Sequence, residues 1–99
     1  MAVTWAPETE QDFRRIFAHN EQKKGEERAI AIEAHILDEG EALRPTSGSG
    51  WRGGRPGERR KLIIDEQYWL FFRAIPNGNV AIFAVAATRE DWTALVSRR

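Results

Sequence analysis

The chain has 99 residues, enough for one small domain that buries only about two-thirds of its unfolded surface, so function is expected on an open surface rather than in a deep pocket. It lacks cysteine, which excludes disulfides, thiolate metal sites and a cysteine nucleophile, and two histidines are too few for a metal centre; no cofactor is expected. Net charge is zero but unevenly divided: residues 1–42 hold ten acids and five bases, residues 43–99 five acids and ten bases, which fits either two surfaces in different environments or acidic helices facing solvent.

No basic stretch followed by an apolar one opens the chain, and no apolar run is long enough to span a membrane, so a cytoplasmic protein without a membrane partner is expected. Val3-Thr4-Trp5 is β-prone. Ala6-Pro7-Glu8 ends it, since proline suits the first helical turn and Glu8 and Glu10 suit the positive end of the helix dipole. Phe13, Ile16, Phe17 and Asn20 recur at helical spacing, predicting a helix from about Glu8 to Lys23. Gly25 interrupts it. A second stripe of Ala29, Ile32 and Ile36, with Ile30, Ala34 and Leu37 beside it, predicts a second helix that Gly40 would cap. So short a break implies an antiparallel helical hairpin.

Residues 44–58 are rich in glycine, proline and serine and read as a loop, within which Trp51 either pins the loop to the domain or awaits a partner. Three strands are expected next, at Arg60–Asp65, Tyr68–Ile75 and Val80–Ala87, with Asn77-Gly78 marking a tight hairpin whose central residues take positive φ. The last strand alternates Val80, Ile82, Ala84 and Ala86 with Ala81, Phe83, Val85 and Ala87; apolar on both faces, it should be central. Only one sheet face can meet two helices. The other, with Tyr68 or Trp69 on it, should expose aromatic surface for a partner. The tail 93–99 should form a brief helix or fray. The fold class is α+β: an N-terminal strand and helical hairpin packed on a small twisted antiparallel β-sheet in a single domain, 1–99.

In order, Val3-Thr4-Trp5-x-Pro7-x-x-x-x-Asp12-Phe13, Gly54-Arg55-Pro56-Gly57-Glu58-Arg59-Arg60-Lys61-Leu62, Gln67-Tyr68-Trp69-Leu70-Phe71-Phe72-Arg73 and Val85-Ala86-Ala87-Thr88-Arg89-Glu90-Asp91-Trp92 resemble the RelE/ParE superfamily of type II toxins, and ParE more than RelE. The resemblance implies a toxin that inhibits growth through DNA gyrase without catalysis of its own, held in a hetero-oligomer by a cognate ParD-like antitoxin. The alternatives are a RelE-like ribonuclease acting on mRNA at the ribosome and a non-toxic antitoxin-binding module. Where ParE-like chains carry a histidine before the closing arginine, Ala87 and Thr88 stand here. The arginine of RelE-type enzymes after the strand tyrosine is Trp69, and their C-terminal tyrosine has no equivalent, Tyr68 being the only tyrosine.

Candidate residues for binding a target or antitoxin are Arg59, Arg60, Lys61, Tyr68, Trp69, Arg73, Arg89 and Trp92. A RelE-like chemistry would fall to Arg60, Lys61, Arg73 and Arg89, because metal-free RNA cleavage needs cations around the phosphate. It also needs a base, and His19 and His35 lie on helices, away from the arginines. Each cation has a structural reading too: a basic strand edge deters edge pairing, and Arg89 can pair with Glu90, Asp91 or Asp65. Trp92 is either a latch for the tail or an anchor for a protein target. Asp12 reads as a helix-surface residue or a partner for its neighbours Arg14 and Arg15, rather than a catalyst. Ser47 and Ser49 have no histidine nearby, and Gly48-x-Gly50 does not join a strand to a helix, so neither a serine hydrolase nor a nucleotide loop is indicated.

Overall fold

The computed structural model describes residues 2–99. Val3–Trp5 forms β1, Thr9–Lys24 α1 and Glu26–Glu41 α2; Glu58–Ile63 (β2), Tyr68–Ile75 (β3) and Asn79–Ala87 (β4) form the meander, and Trp92–Ser97 is α3. The strand order is β1-β4-β3-β2. The meander is antiparallel, as expected, while β1 joins β4 in parallel through Val3↔Val80 to Trp5↔Ile82, making the sheet mixed. The hairpin of α1 and α2 covers one face. Among the described residues no helix is long and apolar enough to cross a membrane.

Local chemistry accounts for the boundaries, with some departures from expectation. Gly25, at φ 90°, breaks the helical path, yet its N–H donates to the Glu21 carbonyl at 2.9 Å and its carbonyl accepts from the Ala29 N–H at 3.1 Å, so one glycine closes α1 and opens α2. Gly40 does not cap α2. It lies inside the helix, where a Cβ would come within 2.3 Å of the Trp5 ring, and Ala42 ends the helix instead. That glycine is a seat for an indole. β2 starts and stops two residues early, because Ile64, Asp65 and Glu66 all take positive φ in the following turn. At the other turn Asn77 and Gly78 do have positive φ, but Ile75 pairs with Asn79, so three residues form the loop.

The alternation expected of β4 fails at Phe83. The register slips from Phe71↔Ala84 to Phe72↔Ile82, leaving Phe83 as an extra, bulged residue. A one-residue slip exchanges the faces. Val80, Ile82, Val85 and Ala87 therefore join Ile16, Ile36, Leu70 and Phe72 under the helices, and Phe83, Ala84 and Ala86 face the other way.

That other face is not left open. Phe71 and Phe83, 0% and 2% exposed, are covered by Trp51 from the long loop and by Trp92, Leu95 and Val96 from α3. The expectation of a bare aromatic face needing a companion chain is thus overturned, because the loop and tail supply the cover themselves. Trp51 pins its loop, and the 44–58 segment is partly ordered by paired bonds between Ser49 and Arg60 (3.0 and 2.8 Å).

Candidate functional site

On the loop-covered face, β2 and β3 bring Arg60 opposite Phe71 and beside Trp69. The Arg60 guanidinium carbon lies 4.1 Å from the Trp69 ring centre, 5.1 Å from that of Trp92 and 5.8 Å from that of Trp51. A planar, weakly hydrated guanidinium suits such stacking. Removal from water among these rings draws its pKa below the usual arginine value, although arginine remains charged at any physiological pH. Trp51 meets Phe71 edge-on at 5.3 Å and Trp92 meets it at 5.5 Å, so the rings form one aromatic layer. Arg73 lies on the same face, 4.1 Å above the Phe83 ring, and its Nη2 donates to Glu58 Oε2 at 2.8 Å.

The remaining candidates are dispersed. Arg59 does not present a free charge, since its guanidinium donates to the Ser47, Gly48 and Thr46 carbonyls at 2.8, 2.8 and 3.2 Å and fastens the loop. Lys61 points across the sheet to Glu39 at 3.9 Å. Tyr68 is buried rather than displayed, and its hydroxyl accepts from Asn20 Nδ2 at 2.9 Å. Arg89 is exposed at the end of β4, pairs with none of Asp65, Glu90 or Asp91, and contacts His19 Nε2. The placement of His19 away from the arginines is therefore wrong: its helix delivers it to Arg89. Of the eight residues, Arg60, Trp69, Arg73 and Trp92 come together, whereas Arg59, Lys61, Tyr68 and Arg89 serve separate places.

Asp12 is a residue that sequence reasoning misplaced. It is wholly buried, not a surface residue, although it does pair with its neighbour Arg15, at 3.0 Å. β1 is only three residues long, so the far half of β4 has an unpaired edge there, and the helix plugs it. Asp12 Oδ2 accepts from the Val85 N–H at 2.9 Å, Arg15 donates to the Val85 carbonyl at 3.1 Å and Arg99 to the Phe83 carbonyl at 3.2 Å. Arg99 also grips Asp12 with both terminal nitrogens, at 2.6 and 2.9 Å, which holds the tail in place. Buried backbone groups need partners, and three side chains supply them here.

The outer surface of the hairpin holds a second candidate region. Phe13 and Phe17 of α1 and Leu37 of α2 line two adjoining grooves of about 480 and 410 Å³, which share Glu10, Phe13 and Glu33. Leu37 and Ile30 are 41% and 52% exposed. The grooves thus have apolar floors and charged rims, on which Glu10, Glu21 and Glu33 outnumber Arg14, itself paired with Glu10.

No protein-family model matches the sequence, and neither does any curated protein. Solved structures do match. A chain of the chromosomal ParDE TA system from P. aeruginosa aligns with 88% of this chain and 95% of its own at a TM-score of 0.71 and 19% identity. The isolated E. coli RelE toxin aligns with 97% of this chain and 95% of its own at a TM-score of 0.49 and 15% identity. This chain has the fold of that ParDE-system chain.

Within that shared fold, Asp12 had one usable signal in the sequence: an acid between Thr9 and Ile16 on the stripe that faces the sheet, where a carboxylate must be paired. The contact of His19 with Arg89 had none, being a matter of how α1 crosses β4. Among the described residues no cluster of three metal-binding side chains occurs.

Proposed function

We propose that the chain is the toxin of a type II toxin–antitoxin pair, ParE-like, that arrests growth by binding DNA gyrase and is held inactive in the cytoplasm by a ParD-like antitoxin in a hetero-oligomeric complex. The observation that carries the reading is the open apolar groove along Phe13, Phe17 and Leu37 on a fold shared with a chain of a ParDE system. An amphipathic antitoxin segment would lay apolar side chains at helical spacing into that groove, and its basic residues would meet Glu10, Glu21 and Glu33. Action by binding rather than catalysis is favoured by how the cations are used. Arg59 is engaged by loop carbonyls, Arg73 is paired with Glu58, and Arg60 is stacked on the tryptophans, so each of these cations already has a structural role.

A RelE-like ribonuclease has one observation in its favour, the contact of the His19 imidazole with exposed Arg89, which sets a side chain of the kind used for proton transfer beside a cation that could hold a phosphate. Inducing the chain alone should stop growth. Extracts should then show gyrase-dependent DNA breaks with intact mRNA, and co-expression of the antitoxin should restore growth. Codon-linked mRNA ends that disappear with His19→Ala would establish the ribonuclease instead; normal growth on induction would leave an antitoxin-binding module without toxicity.

A further inference from the structure

Between the long loop and α3 lies a cleft of about 160 Å³, walled by Trp51 and Trp92, rimmed by Arg52 and Arg55 and closed by Glu58 and Ser97. Its walls are pre-formed. Trp51 folds back over Gly54, where a Cβ would come within 2.9 Å of the indole, and the Gly54 N–H donates to the Trp51 carbonyl at 3.0 Å. The Glu58 carboxylate is neutralised from within: Oε1 accepts from the Arg55 N–H at 3.0 Å, and Oε2 lies 2.8 Å from Arg73 and 3.6 Å from the Arg55 guanidinium. Arg52 is exposed and makes no hydrogen bond or ion pair among the described residues, and Arg55 keeps donors beyond its bonds to Glu58 and the Ser97 carbonyl (3.3 Å). Residues 44–57 contain three arginines and no acid.

We propose that this cleft docks an acidic peptide segment of a protein partner: one bulky apolar side chain enters between Trp51 and Trp92, and flanking carboxylates meet Arg52 and Arg55. Tryptophan and arginine are the residues that dominate binding at interface centres, and arginine matches a carboxylate with paired donors. The charge balance selects an acidic partner, since the only acid lining the cleft is already neutralised. A single-stranded nucleic acid fits less well, because base stacking along a strand needs a row of open ring faces, and Trp69, next in the aromatic layer, already carries Arg60 on its ring. The assignment goes beyond the toxin reading and stands apart from the groove on the helical hairpin.

The test is an NMR titration of the full chain, following its four indole N–H signals, with a short blocked peptide of Asp and Glu around a central Phe. Trp5 is the internal control, since its indole donates to Glu41 on the helical side at 3.0 Å. The Trp51 and Trp92 signals should move and the Trp5 signal should not, and Arg52→Glu should weaken binding by about tenfold with the Trp5 signal unchanged. Equal movement of all four signals, no movement, or undiminished binding by Arg52→Glu would overturn the assignment. Tighter occupation of the same cleft by oligo-dT or oligo-U than by the peptide would also overturn it, in favour of nucleic acid. Growth arrest by the chain is scored separately, so loss of cleft binding with arrest intact would reject the cleft and leave the toxin reading standing.

Discussion

Asp12 illustrates how little of an ionic interaction's worth is visible in residue type. Arg14 and Glu10 form an ion pair at 2.6 Å with side chains 75% and 70% exposed, and Arg99 and Asp12 form one at the same distance with side chains 11% and 0% exposed. The exposed pair is screened by water and is worth a few tenths of a kcal/mol at most. Removing Asp12 instead strands a mostly buried guanidinium and the Val85 N–H together. Asp12→Ala should therefore cost about 3–5 kcal/mol, read as a lower urea midpoint, while Arg14→Ala should leave the midpoint almost unmoved. The same contrast explains why the basic candidates were legible as a set and not one by one. Arg59, Arg60 and Lys61 are adjacent in sequence, yet their partners are loop carbonyls, tryptophan rings and a helix glutamate. No pattern in a single sequence specifies those three destinations.

At the scale of elements, periodicity and turn chemistry located six of the seven helices and strands and left the tail open between a brief helix and fraying, because helical spacing and β-prone runs bounded by glycine and proline are local signals. What they missed were tertiary effects. The β4 bulge was invisible since Ala84, Val85, Ala86 and Ala87 are apolar on either register, so the alternation carries no phase there. Gly40 looked like a cap for the equivalent reason: only the position of Trp5 reveals the other use. In an ordinary helix interior Gly→Ala gains up to about 1 kcal/mol. Gly40→Ala should reverse that sign and destabilise by about 1–3 kcal/mol, because the Trp5 ring, packed against Phe13 (5.5 Å) and the Gly40 backbone, would have to give way to the new methyl. A thermal midpoint at or above that of the parent protein would show that the indole can shift. The loop yields a second test. Trp51→Ala should cost about 2–3 kcal/mol, less than for a wholly buried ring, and should also speed amide exchange at Ser49 and Arg60, whose paired bonds depend on the loop staying down.

For the molecule as a whole, the sheet has two cores: the helical hairpin over one face, the tryptophan loop and α3 over the other. Coverage on both sides leaves no bare apolar face on the meander, whereas Ile30 and Leu37 remain exposed on the outside of α1 and α2. The division of charge follows the same line, since ten of the fifteen acids precede residue 43 and ten of the fifteen bases follow it. If the proposed antitoxin binds the hairpin, its segment should be basic and amphipathic, and its footprint by hydrogen exchange should fall on residues 10–37 and spare β2 and β3. Its association should also slow with salt. Glu10, Glu21 and Glu33 lie at the rim of the groove, where a Debye length of about 10 Å at 0.1 M falls to about 3 Å at 1 M. Steering by such charges acts on the encounter rate, whereas the buried apolar contacts govern dissociation. The on-rate should therefore fall steeply over that range while the off-rate barely changes. Protection centred on β2 and β3, or an on-rate indifferent to salt, would place the partner on the basic face instead.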